Sequence, residues 1–96
     1  MKSKHYDNMK DVAKDLGLDP KMGELAELKA NLTAEIIKEI EKEGLTHKEV
    51  AEISGVPRSA VTGIINGSLQ KVTIDRLMRI LVSLGKKVSV KVSKVA

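Results

Sequence analysis

Apolar positions recur every three or four residues through most of the chain, the spacing of helices that bury one face. Leu25, Leu28, Leu32, Ile36 and Ile40 mark the longest such face. They predict a helix from about Lys21 to Glu43, with a break near Lys29 to Leu32 and a stop at Gly44. Val50 and Ile53, then Val56, Val61 and Ile64, mark two short helices on either side of Gly55. Ile74, Leu77, Met78, Leu81, Val82 and Leu84 mark a last helix, capped by Thr73 and stopped by Gly85. Its apolar face is broad enough to cover a core on one side and a dimer partner on the other. Beyond Gly85 the period changes. Val88, Val90 and Val92 alternate with Ser89, Lys91 and Ser93, the pattern of a half-buried strand. The sequence holds no second strand of that quality, so this one must pair with an edge elsewhere. The candidates are the same strand of a second subunit and the sheet edge of another protein; the bland reading is a solvated, lysine-rich tail. Before the first helix, Met1 to Lys10 reads as frayed, Asp11 to Leu18 as a short helical turn ended by Gly17, and Asp19-Pro20 as a turn. The expected organisation is a partly flexible approach segment (1–20), a helical domain (21–85) and a C-terminal strand (86–96).

The stretch from Leu45 to Gly67 carries the most information. Thr46 is placed to cap a helix, and Glu49, three residues on, completes a capping box. Gly55 suits a sharp stop that needs positive φ. Ala51 is small where two helices meeting over a short turn come close. Ser54 must bond back to a helix carbonyl or reach water. Pro57 opens the next helix at a place where its missing N–H costs nothing. That helix, about Arg58 to Asn66, turns Val61, Ile64 and Ile65 inward and Arg58, Ser59, Thr62, Gly63 and Asn66 outward. Helix, tight turn, helix with a polar outer face is the layout of a helix-turn-helix, whose second helix enters the major groove of DNA. An ordinary helical hairpin shares the periodicity. The joint placement of Thr46, Ala51, Gly55, Val56, Val61, Ile64 and Gly67 favours the DNA-binding unit.

The candidate contacts follow from that layout. Arg58, Ser59 and Thr62 occupy the exposed first part of the second helix, where base edges are read. The planar fork of Arg58 can span guanine O6 and N7, worth roughly 1–3 kcal/mol of discrimination; a phosphate contact is an equal reading. Asn66 is placed to position the backbone, and Ser68 and Lys71 in the following loop to meet phosphates. Thr46 and His47, at the start of the first helix of the pair, complete the candidate DNA-binding set. Gly63 costs roughly 1 kcal/mol against Ala in an exposed helix. It either lets DNA come close or is tolerated.

Charge sharpens this picture. Met1 to Glu52 holds nine Lys and Arg against twelve Asp and Glu, a net −3. Ile53 to Ala96 holds eight against the single Asp75, a net +7, and includes the proposed recognition helix. A polyanion partner follows, although four of those eight are the tail lysines, which serve equally as a solvated end. One tyrosine and no Phe or Trp argue for duplex DNA over single strands, whose bases stack on aromatic rings. The absence of cysteine excludes disulfides and thiolate metal sites and suits a reducing cytoplasm. No run of apolar residues is long enough to span a bilayer, and the polar start predicts no signal peptide. Catalysis finds no inventory: two histidines at a polar end and a helix start, no phosphate-cradling glycine loop, no base beside a serine. Glu39, Glu41 and Glu43 read as a solvated helix end. Neither a catalytic residue, a metal ligand nor a cofactor is expected.

Leu45 to Gly67 resembles the helix-turn-helix of the XRE/Cro repressor superfamily. Within it the chain is similar to HigA-like antitoxins of bacterial toxin–antitoxin pairs. The resemblance runs from about Asp11 to Val92, through DVAKDLGL, GLTHKEVAEISGV, RSAVTGIINGSLQKVTIDRLMRIL and LGKKVSV. It departs at His47, where the family has a Gln that touches a DNA phosphate, a contact His47 can still make as a hydrogen-bond donor; at Ser54, where Leu is usual; and at Pro57, where Ser or Thr caps the recognition helix. The resemblance implies a mainly α fold, a four- to five-helix λ-repressor-like bundle with a C-terminal β-strand. It also implies a cytoplasmic homodimer of bacterial or phage origin that reads an operator palindrome in double-stranded DNA. As an antitoxin it would repress its own operon and neutralise a small RelE/HigB-like toxin. The alternative is a stand-alone XRE-family regulator without a toxin.

Overall fold

A computed structural model describes residues 23–94 of the chain. The expected approach segment (1–20), its helical turn and the first residues of the long helix lie outside the described residues. Within them the protein is all helical: α1 (Gly23–Glu43), α2 (His47–Ser54), α3 (Arg58–Ile65) and α4 (Ile74–Ser83). The longest helix, α1, packs along α4, while α2 and α3 form a pair that rests on both. Ile36, Val50, Val61, Ile64, Leu77 and Ile80 are shut off from solvent at the centre, one or two from each helix. Each fully buried side chain of this size contributes about 1.5–3 kcal/mol of transfer free energy, so the short helices α2 and α3 are held by packing rather than by their own propensity.

Local chemistry sets the helix ends. The Thr46 hydroxyl accepts from Glu49 N–H at 3.1 Å and the Glu49 carboxylate accepts from Thr46 N–H at 2.9 Å, the reciprocal capping box. The second bond favours the ionised carboxylate and holds Glu49 below the ordinary glutamate pKa. Thr73 likewise accepts from Arg76 N–H at 3.2 Å and starts α4. Gly55 takes φ 75° and donates its N–H to Ala51 O at 2.9 Å, closing α2 in one left-handed residue. Ser54 bonds back as expected, donating to Val50 O at 2.7 Å, and it also accepts from Val56 N–H at 3.2 Å, so one hydroxyl spans the turn. At the end of α4, Gly85 (φ 85°) donates to Val82 O and Lys86 N–H to Leu81 O, a Schellman motif.

Four expectations are corrected. The long helix has no break near Lys29 to Leu32; α1 is continuous because Ala26, Leu32, Ile36 and Ile40 keep one face buried across that stretch. Ile53, placed in the apolar set of the hairpin, is 50% exposed, and Leu28 and Val82 are exposed as well. Eight residues of α2 bury only Val50 fully, too narrow a stripe to include Ile53. Glu39 is not part of a solvated end. It is buried, at 7% exposure, and its carboxylate pairs with Lys86 Nζ at 2.9 Å. Finally, among the described residues there is no β-strand: residues 86–94, expected to form one, run without regular structure. A strand exists through the neighbour it bonds to, and the described residues supply none.

Candidate nucleic-acid interface

The α2–α3 pair presents a polar surface over an apolar floor. Val61 and Ile64, three apart on α3, are buried on the inward side. Arg58 and Ser59, in the first turn of α3, are exposed, and Thr62 lies half-buried one turn on. Pro57 precedes them as N-cap with no side-chain bond, and its carbonyl accepts from Ala60 and Val61 N–H. The first N–H groups of α3 therefore lack a side-chain cap, which leaves the positive end of the helix open to an anion.

One tertiary contact ties the two helices together on this surface. His47 Nδ1 and Thr62 Oγ1 share a hydrogen bond of 2.9 Å. It joins the first residue of α2 to the outer face of α3 across fifteen positions of sequence. The bond fixes the imidazole plane, and Nε2 makes no hydrogen bond among the described residues. Thr62 is thereby committed partly to His47, so its methyl is the part most free to meet a ligand. Thr46, beside His47, is exposed; its oxygen accepts the capping bond and its O–H remains a donor.

The remaining predicted residues spread along the far end of α3 and the loop. Asn66 is the C-cap and is exposed, its N–H donating to Thr62 O at 3.0 Å. Ser68 is exposed and donates its N–H to Gly63 O at 2.9 Å. Gly63 itself is not required by the protein's packing: a Cβ built there meets nothing within 4 Å. Lys71, in the loop before α4, is exposed.

Two residues absent from the sequence reading join the site. A cleft of about 330 Å³ opens beside the start of α3. It is lined by the turn residues Gly55, Val56 and Pro57 and by Lys71, Thr73, Asp75, Arg76 and Arg79. Arg79 and Asp75 pair at 3.3 Å across one turn of α4, both exposed, so the pair is weak and leaves the guanidinium available. Lys71 and Arg76 make no ion pair among the described residues. The structure thus sets Lys71, Arg76 and Arg79 on one flank of the residue that leads into Arg58. The signal in the sequence is the spacing of Arg76 and Arg79, three apart and interleaved with the buried Leu77 and Ile80.

Among the described residues no group of His, Asp and Glu could hold a metal ion, and no helix is long and apolar enough to cross a membrane. A family model described as a helix-turn-helix domain matches residues 12–93. Neither a curated protein nor a solved structure matches the chain.

Proposed function

We propose that this chain, which belongs to the helix-turn-helix domain family, is a sequence-specific transcriptional repressor that binds duplex DNA as a homodimer. The observation that carries the reading is the outer face of α3. Arg58 and Ser59 stand exposed in its first turn, while Val61 and Ile64 on its other side are fully buried. The core therefore holds the helix from behind and leaves its polar face to a ligand. With α3 in the major groove, Arg58 reads a base edge, and Ser59 and Thr62 line the same groove. His47 donates from Nε2 to a phosphate in place of the family's usual amide, oriented by Thr62. Thr46, Asn66 and Ser68 hold the backbone on either side, and Lys71 with Arg76 and Arg79 meets the phosphates that flank the cleft. Gly63, with open space around it, lets the groove wall approach α3 closely.

The cytoplasmic antitoxin role rests on the resemblance from Asp11 to Val92. In that role the same protein represses its own operon and neutralises a RelE/HigB-like toxin; without a toxin partner it is a stand-alone XRE-type regulator. Co-expression with the adjacent small reading frame separates the two, since only the antitoxin rescues growth.

Selection from a random pool of duplexes tests DNA reading directly. The expected product is a palindrome whose half-sites lie about 34–36 Å apart, one helical turn. Arg58→Ala should then lose about 1–3 kcal/mol on the selected site and relax one base position. A pool that enriches for no sequence overturns the proposal. Equal loss on all sequences makes Arg58 a phosphate contact.

A further inference from the structure

The bond between His47 and Thr62 leaves each side chain with hydrogen-bonding capacity to spare. A threonine inside a helix commonly turns its hydroxyl back to a carbonyl three or four residues earlier. Ser54 does this on α2, donating to Val50 O. Thr62 does not: among the described residues its Oγ1 makes one hydrogen bond, to His47 Nδ1 at 2.9 Å. The direction of the Thr62 O–H is therefore set by the imidazole. On the other side of the ring, Nε2 makes no hydrogen bond among the described residues.

We infer that His47 and Thr62 form a hydrogen-bond relay, in which the protonation of His47 decides which kind of base is accepted beside Thr62. The inference rests on the proposed function, where Nε2 meets a phosphate and Thr62 lines the groove, and it adds how the two contacts are coupled. Phosphate oxygens accept hydrogen bonds, so Nε2 must carry a proton. A neutral imidazole has one N–H. With that proton on Nε2, Nδ1 holds a lone pair and accepts from the Thr62 O–H. Oγ1 then offers only lone pairs to the groove. Its partner is an exocyclic amine, adenine N6 or cytosine N4, and the carbonyl oxygens of guanine and thymine are refused. Protonation reverses this. An imidazolium donates from both nitrogens. Nδ1–H now donates to Oγ1, and the released Thr62 O–H donates to guanine O6 or thymine O4. The Thr62 methyl is free in both states.

Imidazoles change charge between about pH 5 and 8, so both states are within reach. Of the elements that meet here, α1 ends in Glu43, α2 carries Lys48 and Glu49 beside His47, and α3 carries Arg58 one turn before Thr62. The Glu49 carboxylate is committed to Thr46 N–H. Asp75, Arg76 and Arg79 of α4 line the cleft at Gly55, the opposite end of α2. Among the described residues His47 pairs with none of these, and its hydrogen-bond partner is the neutral hydroxyl of Thr62.

The experiment uses the full-length protein. Duplexes are selected from a random pool, and affinities for single-base variants of the selected site are measured at about pH 8.5 and about pH 5.5, either side of the imidazole range. Thr62→Val keeps the shape of the side chain without its hydroxyl, so the base preference it erases marks the position beside Thr62. There the parent should favour adenine or cytosine over guanine or thymine by about tenfold at the higher pH, and the ratio should move about tenfold towards guanine or thymine at the lower. The salt slope of the parent should also steepen by about 1 at the lower pH, as a charged His47 neutralises one more phosphate. His47→Gln has an amide that gains no proton and should hold one preference at both pH values. Thr62→Ser retains the hydroxyl and should retain the shift. His5→Gln removes the only other histidine and should retain it as well. Helical circular dichroism verifies that each variant is folded. A preference that does not change with pH, or a shift that survives in Thr62→Val or His47→Gln, overturns the relay and leaves the DNA reading standing. A pool that enriches for no sequence overturns the DNA reading and the relay with it.

Discussion

At the scale of single residues, Gly63 separates stability from function most cleanly. It sits within α3, where glycine costs about 1 kcal/mol against alanine, and a Cβ there meets nothing within 4 Å beyond its chain neighbours and its own helix backbone. The protein therefore gains by losing this glycine. Gly63→Ala should raise the unfolding free energy by roughly 0.5–1 kcal/mol and at the same time weaken binding to the selected duplex. Chemical denaturation and fluorescence anisotropy on one preparation measure both. A variant that is more stable and binds as tightly as the parent would show that DNA does not come close to this backbone. His47 and Thr62 work as a unit in the opposite sense. Their 2.9 Å bond gives a surface histidine a fixed plane, which the sequence alone does not disclose because the two residues lie fifteen apart.

At the scale of elements, the ion pair between Glu39 of α1 and Lys86 after α4 fastens the start of the C-terminal segment to the longest helix. The Glu39 hydrogen bond, and then its charge, hold the Lys86 ammonium above the ordinary lysine pKa of 10.5. A raised pKa in the native state means that protonated Lys86 favours folding. That contribution is complete below the unfolded value and is lost as pH rises through the raised native value. Lys86→Gln should therefore be less stable than the parent at neutral pH, and the two should converge in alkaline solution above pH 10.5. Thermal unfolding by circular dichroism at neutral and alkaline pH measures this, and a gap that persists at high pH assigns the loss to packing of the stem instead. This pair also marks where sequence reading stops. The Thr46–Glu49 box, the Ser54 back-bond and the Gly55 stop were legible because each is settled within five residues. So was the existence of the four helices among the described residues, through the period of their apolar positions. Glu39 was not legible: its burial depends on where Lys86 returns, forty-seven positions later. Ile53 was misread because periodicity identifies a face but not how wide a neighbour covers it. The strand pattern of Val88 to Val92 was read from alternation alone, and alternation does not supply the second strand.

At the scale of the whole molecule, the uneven charge decides how binding responds to salt. The half from Ile53 onward carries net +7, against net −3 before it. The fold gathers part of that excess beside the turn that leads into α3, where Lys71, Arg76 and Arg79 line the same cleft as Gly55, Val56 and Pro57. These side chains lie on α4 and the loop before it, not on the face of α3 proposed to read bases, so their effect should be independent of sequence. Each lysine or arginine that neutralises a phosphate releases a condensed counterion, and the logarithm of the binding constant falls with the logarithm of salt by about 0.9 per contact. Lys71→Ala and Arg76→Ala should each weaken binding to operator and to random duplex alike, and make the salt slope shallower by about 1. The double variant should lose about 2, since the contacts are to separate phosphates. Anisotropy titrations across a series of salt concentrations give both slopes and the ratio of specific to random affinity. An unchanged slope removes the cleft from the interface. A changed ratio would mean that the flank helps to choose the sequence, and that the division of labour between α3 as reader and α4 as clamp is wrong. The proposed division rests on two features of the fold: α3 stands its polar face outward on a buried floor, while Arg76 and Arg79 are exposed on a helix whose Leu77 and Ile80 are fully buried in the core.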